Sequence, residues 1–196
     1  MKDPVNEYDY GSQVYKTADD ESDVDIISIV DDDCLEEYEF LERHPCWPHN
    51  HDYSFYSISQ FKEMIVNHDP CALECLFLPD EFKNENYSFS FELDVSQLRR
   101  SFSQKSSNSW VKAKKKIDLH KEYRLGRKSL FHSLRIINFG IQIISHEKIV
   151  DYSSANHYWE KIVEQNYTSW KDYKEYWQPE YNKIHSEFKK LAPLKG

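Results

Sequence analysis

One stretch limits what this chain can fold into more than any other: GSQVYKTADDESDVDII, from Gly11 to Ile27. It runs into VDIISIV, residues 24–30, a β-branched apolar segment bounded by acids, which predicts a buried strand. Side chains at alternate strand positions share a face. Asp23 and Asp25 have that spacing. Two carboxylates on one face repel each other and lose hydration unless a cation sits between them. Asp19, Asp20 and Glu21, just upstream, read instead as a solvated turn.

The length of 196 residues suits one domain, or a small domain with a helical extension. Trp, Tyr and Phe number 5, 14 and 11, enough to fill a core. A net charge of −9 argues against a protein that coats nucleic acid. The distribution matters more than the sum. Acid is concentrated from Asp19 to Glu42 and base from Arg99 to Arg135. Such halves could hold a metal–polyphosphate complex between them, or simply neutralise each other. The polar N-terminus has no signal-peptide pattern, and no apolar run approaches a membrane span. Cys34, Cys46, Cys71 and Cys75 are therefore expected to be reduced thiols in an intracellular, cytoplasmic protein.

Along the chain, CLEEYEFLERH predicts a short helix and HPCWPHNH a loop broken by Pro45 and Pro48. DYSFYSI predicts a second strand. Ser57 or Ser59 is a candidate N-cap for the amphipathic stretch that follows. Pro70 either ends that helix or starts the next. ALECLFL is ambiguous between helix and strand. SFSQKSSNSW reads as a polar, Ser-rich connector. The longest helical pattern covers roughly 126–146, with Leu130, Leu134, Ile137, Phe139, Ile141 and Ile144 on its apolar side. Residues 154–192 predict further helices, with Trp159, Trp170 and Trp177 as packing residues. The expected fold is α/β (α+β), a small mixed sheet flanked by helices with a helical C-terminal part.

Gly11-Ser12, a spacer, then Asp23-Val24-Asp25 in a strand resembles the nucleotidyltransferase motif of the DNA polymerase beta superfamily. GSQVYKTADDESDVDI is similar to predicted nucleotidyltransferases of bacteria, phages and large viruses, including RNA-repair-associated branches. RKSLFHSLRIINFGIQIISHEKIVDY, residues 127–152, resembles that family's helix bearing His-x-x-Arg, and NHDPCALECLF resembles its Gly-Asn-Pro…Leu-Glu-Leu-Leu-Phe segment. The three marks span residues 11–152. The family's pattern has glycine where Lys16 stands, and NEYDY, a polar segment, must serve as its first strand.

The resemblance implies a catalytic core over 1–95 and a basic connector with a helical part over 96–196. It implies transfer of a nucleoside monophosphate from an NTP, such as ATP, to a hydroxyl of RNA, protein or a small molecule. Hard divalent cations, Mg²⁺ or Mn²⁺, take oxygen ligands. Asp23, Asp25 and a third carboxylate would supply them. Asp52, opening the second strand, is the favoured third ligand, and Glu74 is its competitor or a supporting acid. Gly11 and Ser12 would hold the triphosphate. Lys128, His132 and Arg135 share a helix face, which suggests either phosphate contact or pairing of Arg135 with a core carboxylate such as Glu74.

Two rival readings follow from the residues. One is a nucleotidyltransferase fold with weak or no turnover that binds RNA, nucleotide or protein. The other is a zinc-stapled interaction protein built on His44, Cys46, His49 and His51.

Overall fold

The apolar run forms β2, Val24–Val30. The computed structural model that contains it describes residues 3–20, 22–42 and 51–194. Packing divides the chain into two units, Met1–Glu92 and Leu93–Gly196. The first is a small mixed sheet flanked by helices, and the described residues of the second are helical.

In the sheet unit, β1 (Asn6–Tyr10) lies antiparallel to β2, and β3 (His51–Ser57) lies parallel to it. The short β4 (Lys83–Glu85) completes the order β3-β2-β1-β4. β1 is NEYDY, a polar sequence for a strand with a neighbour on each side. Its polar groups are satisfied internally, as buried polar groups must be. Asn6 Nδ2 donates to the Tyr87 carbonyl at 2.8 Å, and Asn6 Oδ1 accepts from the amides of Asn86 and Tyr87 at 2.9 and 2.8 Å. The Tyr8 hydroxyl donates to Glu85 Oε1 at 2.9 Å. Burial, the main cause, holds the Tyr8 phenol far above its ordinary range, so it remains a neutral donor.

Register assigns the faces. Tyr10 pairs with Asp25, Tyr8 with Ile27 and Asn6 with Ile29. Asp25 and Ile27 pair in turn with Asp52 and Ser54. Directly opposed residues share a face, so Tyr8, Tyr10, Asp25, Ile27, Ile29 and Asp52 all lie on one side. Tyr8 stacks there on Phe61, ring centroids 5.7 Å apart. The other face buries Val30 and Phe55 against Tyr38.

The helices of this unit follow their caps. α1 is a single turn, Ser12–Tyr15, and α2 is Leu35–Glu42. α3 (Ile58–Val66) starts at Ser57, whose side chain forms a capping box with Gln60. α4 (Pro70–Leu76) starts at Asp69, with Pro70 at its first position. Pro70 thus begins a helix, and the ambiguous ALECLFL is helical over Ala72–Leu76.

In the helical unit the Ser-rich segment is not a connector. It is the middle of α5, Val95–Lys114, capped by the Asp94 side chain on the Gln97 amide. Leu98, Phe102, Ser106 and Ala113 form its buried face. The Ser106 hydroxyl donates to the Ser133 carbonyl at 2.6 Å, which leaves its oxygen to accept from His185 Nε2 at 2.9 Å. A serine thus occupies a position where an apolar side chain would have advertised the helix. α6 is Tyr123–His146, α7 is Asn156–Gln165 and α8 is Trp170–Leu191. A Cβ on Gly140 of α6 would come within 2.8 Å of Phe188 and 3.0 Å of Phe102, so this glycine admits both rings. Trp170 and Trp177 are buried, and Trp159 packs on Phe131 at 5.6 Å, consistent with packing roles. Among the described residues, no helix is long and apolar enough to cross a membrane.

Burial holds His185 down to about 4 from an ordinary 6.5. Between those values the unfolded chain binds the extra proton, so stability is present above about 6.5 and is lost as pH falls towards 4. Urea unfolding followed by tryptophan fluorescence should show a loss from pH 7 to pH 5, of which about 2 kcal/mol belongs to His185. His185→Gln should remove that share. An equal pH loss in both proteins contradicts the assignment.

Candidate functional site

The chain leaves β1 at Tyr10, opposite Asp25, and turns at once through Gly11. Gly11 has φ 76° and ψ −147°, a conformation essentially confined to glycine. A Cβ on it would lie 2.1 Å from Asp25 Oδ2. Glycine is therefore required twice, for its backbone angle and for the space taken by the carboxylate. Ser12 follows as the first residue of α1, half-exposed. The first amides of a helix have no acceptor within it.

α1 ends at Lys16, which is left-handed at φ 58° and ψ 38°. Its amide donates to the Gln13 carbonyl, and the Thr17 amide donates to that of Ser12 at 2.9 Å. An L side chain is strained in this conformation. The turn onward is fixed by Ser22, whose hydroxyl donates to Asp19 Oδ1 at 2.7 Å while its oxygen accepts from the Asp19 amide. Asp19 and Asp20 are exposed, as a solvated turn requires.

The three predicted carboxylates stand at the edge of this turn. Asp25 is half-buried beside Gly11, Asp52 is its direct partner on β3 and exposed, and Asp23 precedes β2 and is exposed. The donors are all oxygen, the kind a hard divalent cation takes. Adjacent paired strands are about 4.8 Å apart, so Asp25 and Asp52 are neighbours on one face. Among the described residues, the trio whose donor atoms all lie within 4.8 Å of one another is a different one, Asp31, Asp33 and Cys34, in the turn after β2. The run Asp-Asp-Asp-Cys was its sequence signal. Asp32, between the first two, accepts from the Ser59 hydroxyl and amide at 2.7 and 2.9 Å.

Glu74 lies on α4, 1% exposed, and accepts a hydrogen bond from the Tyr15 hydroxyl at 2.5 Å. Tyr15 is the residue that sequence reasoning missed. It links the turn bearing Gly11 and Ser12 to α4, and its signal was an aromatic residue three positions after Ser12.

Lys128, His132 and Arg135 lie on α6, in the helical unit. Arg135 donates to His132 Nδ1 through Nε at 3.3 Å and Nη2 at 3.2 Å, and its guanidinium sits 4.9 Å from the Phe139 ring. Because Arg135 can only donate, Nδ1 is the acceptor. Burial, then the charges of Arg135, Lys112 and Lys128, hold His132 well below its ordinary range. The expected cationic triplet thus consists of two cations and a neutral imidazole. Cys34, Cys71 and Cys75 are thiols. His44, Cys46 and His49 lie outside the described residues.

No family model, no curated protein and no solved structure matches the chain.

Gly11→Ala should destabilise the protein by about 2 kcal/mol or more, while Lys16→Gly should stabilise it by about 1 kcal/mol. Thermal melts of the two variants check this pair, and a destabilised Lys16→Gly contradicts the strain at that turn. Tyr15→Phe should cost about 1–3 kcal/mol by withdrawing a donor from a buried carboxylate. Equilibrium unfolding that is unchanged in that variant contradicts the role of the bond.

Proposed function

We propose that the chain is a metal-dependent nucleotidyltransferase that moves a nucleoside monophosphate from an NTP to a hydroxyl acceptor. One observation above all supports this reading: Asp25 pairs with Asp52 across parallel strands while its carboxylate rests on the Cα of Gly11. A glycine turn, a carboxylate and a second carboxylate thus meet at one sheet edge. The Gly-Ser/Asp-x-Asp resemblance gives that edge its chemical meaning.

Asp23, Asp25 and Asp52 are the residues that would hold Mg²⁺ or Mn²⁺, with Glu74 as a supporting acid. A bound divalent cation supplies charge neutralisation at the phosphates and activation of the acceptor hydroxyl. The residues of the chain do the rest. Gly11 leaves the space of a Cβ to the Asp25 carboxylate, which brings that would-be metal ligand up to the turn. The Ser12 hydroxyl and amide donate to phosphate oxygens. Tyr15, through Glu74, keeps that turn in place against α4. The roles of Lys128, His132 and Arg135 in phosphate binding rest on the resemblance alone.

A second reading has its own observation. Asp23 lies outside β2 and, like Asp52, is exposed. This favours a nucleotidyltransferase-like protein with weak turnover that acts by binding nucleotide, RNA or protein.

The protein should be incubated with Mg²⁺ or Mn²⁺, each labelled NTP, and RNA, protein and small-molecule acceptors. Label transfer is expected, with a loss of about 10²–10³-fold for Asp25→Ala or Asp52→Ala. Transfer that survives the double change Asp23→Ala, Asp25→Ala sinks the metal assignment. NTP binding without transfer selects the second reading, and absence of NTP binding removes the first.

A further inference from the structure

α7 and α8 of the helical unit flank an open cavity of about 380 Å³. Its floor is core: Trp177 and Tyr158 are 2% and 8% exposed and meet edge to face at 5.9 Å. The Trp177 indole N–H is already used, donating to Gln165 Oε1 at 2.8 Å. The rim is different. Tyr176 is 45% exposed, and His157, also on the lining, is exposed. Both rings pack on the floor yet stay exposed. Neither is loose. Tyr176 lies 5.2 Å from Trp177. The His157 ring sits 3.9 Å from Tyr158, and its Nδ1 donates to the Ser154 carbonyl at 3.1 Å.

The charged groups of the cavity narrow the ligand. Lys161 lines it, with Nζ 5.9 Å from the Tyr176 ring. Glu180 lines it too, and its Oε1 accepts from the Tyr158 hydroxyl at 3.2 Å. Lys183 lies 3.5 Å from both Glu180 oxygens and offsets their charge. Pro179 lines this cavity and also the adjoining groove on α8, where Lys171, Lys174 and Glu175 lie. The helical unit as a whole has 20 Lys and Arg against 11 Asp and Glu. An anion is therefore favoured. A quaternary ammonium, the usual guest of aromatic cages, is opposed by Lys161.

We propose that this groove binds single-stranded nucleic acid, with one base on the rings of Tyr176 and His157 and Lys161 against its phosphate. Stacking uses the π-face that every unpaired base presents, and a duplex hides it. Glu180 accepts from an exocyclic amino group, so adenine and cytosine are preferred to uracil. The strand continues past Pro179 towards Lys171 and Lys174. The site needs neither metal nor NTP, so it stands or falls separately from nucleotidyl transfer.

The test is fluorescence anisotropy of the full chain with labelled oligo(A) and oligo(U) RNA, oligo(dA), an A·U duplex and AMP as competitor, at two salt concentrations. Oligo(A) and oligo(dA) should bind, more tightly than oligo(U) and the duplex. Tyr176→Ala should weaken oligo(A) binding by about 10-fold, and Lys161→Ala should lower the salt slope by about 0.7. Both residues are exposed, and unchanged thermal melts will show that the fold is intact. No binding, binding indifferent to both substitutions, equal affinity for oligo(A) and oligo(U), or AMP as tight as oligo(A) would overturn the proposal.

Discussion

The sheet unit depends on the approach of the Asp25 carboxylate to the Cα of Gly11. The antiparallel pairing of β1 and β2 ends at Tyr10 and Asp25, so the chain leaves the sheet beside the carboxylate. Only a residue without a Cβ fits the next position, and only glycine adopts its backbone angles without strain. The turn that results aims α1 so that the Tyr15 hydroxyl reaches Glu74 on α4. α4 is started in turn by Asp69 and Pro70, whose cap and fixed φ leave little choice of direction. One close contact thereby sets the exit from the strand, the first helix and the seat of a buried acid.

Much of this was legible in the sequence, for physical reasons. The β-branched run of β2, the Ser57 cap and the long apolar pattern of α6 are local signals, and each led to the right element. What was not legible depended on distant partners. NEYDY lies inside the sheet because Asn6 finds the backbone of Asn86 and Tyr87 some 80 residues on. No local pattern announces such a bond. α5 was hidden because Ser106 buries its hydroxyl between Ser133 and His185 instead of presenting a methyl. The Tyr15–Glu74 bond joins residues 59 positions apart and likewise had no local signature. Nothing local announced the left-handed backbone of Lys16 either.

Charge is divided as sharply as structure. The sheet unit has 5 Lys and Arg against 23 Asp and Glu, whereas the helical unit has a basic excess. A net charge of −9 therefore conceals two surfaces of opposite character. The acidic one suits a site that gathers cations and is unsuited to nucleic acid on its own. The basic one suits polyanions. The candidate transfer site and the proposed base-stacking groove each fall in the unit whose charge favours them.

The central claim is that the edge formed by Gly11, Asp25 and Asp52 is a divalent-cation site that serves a nucleotide. Crystals of the protein soaked with Mn²⁺ and a non-hydrolysable NTP analogue test it most directly. The account predicts an anomalous peak between Asp25 and Asp52, with phosphate density against Gly11 and Ser12. Ordered analogue elsewhere, or Mn²⁺ confined to Asp31, Asp33 and Cys34, would contradict it.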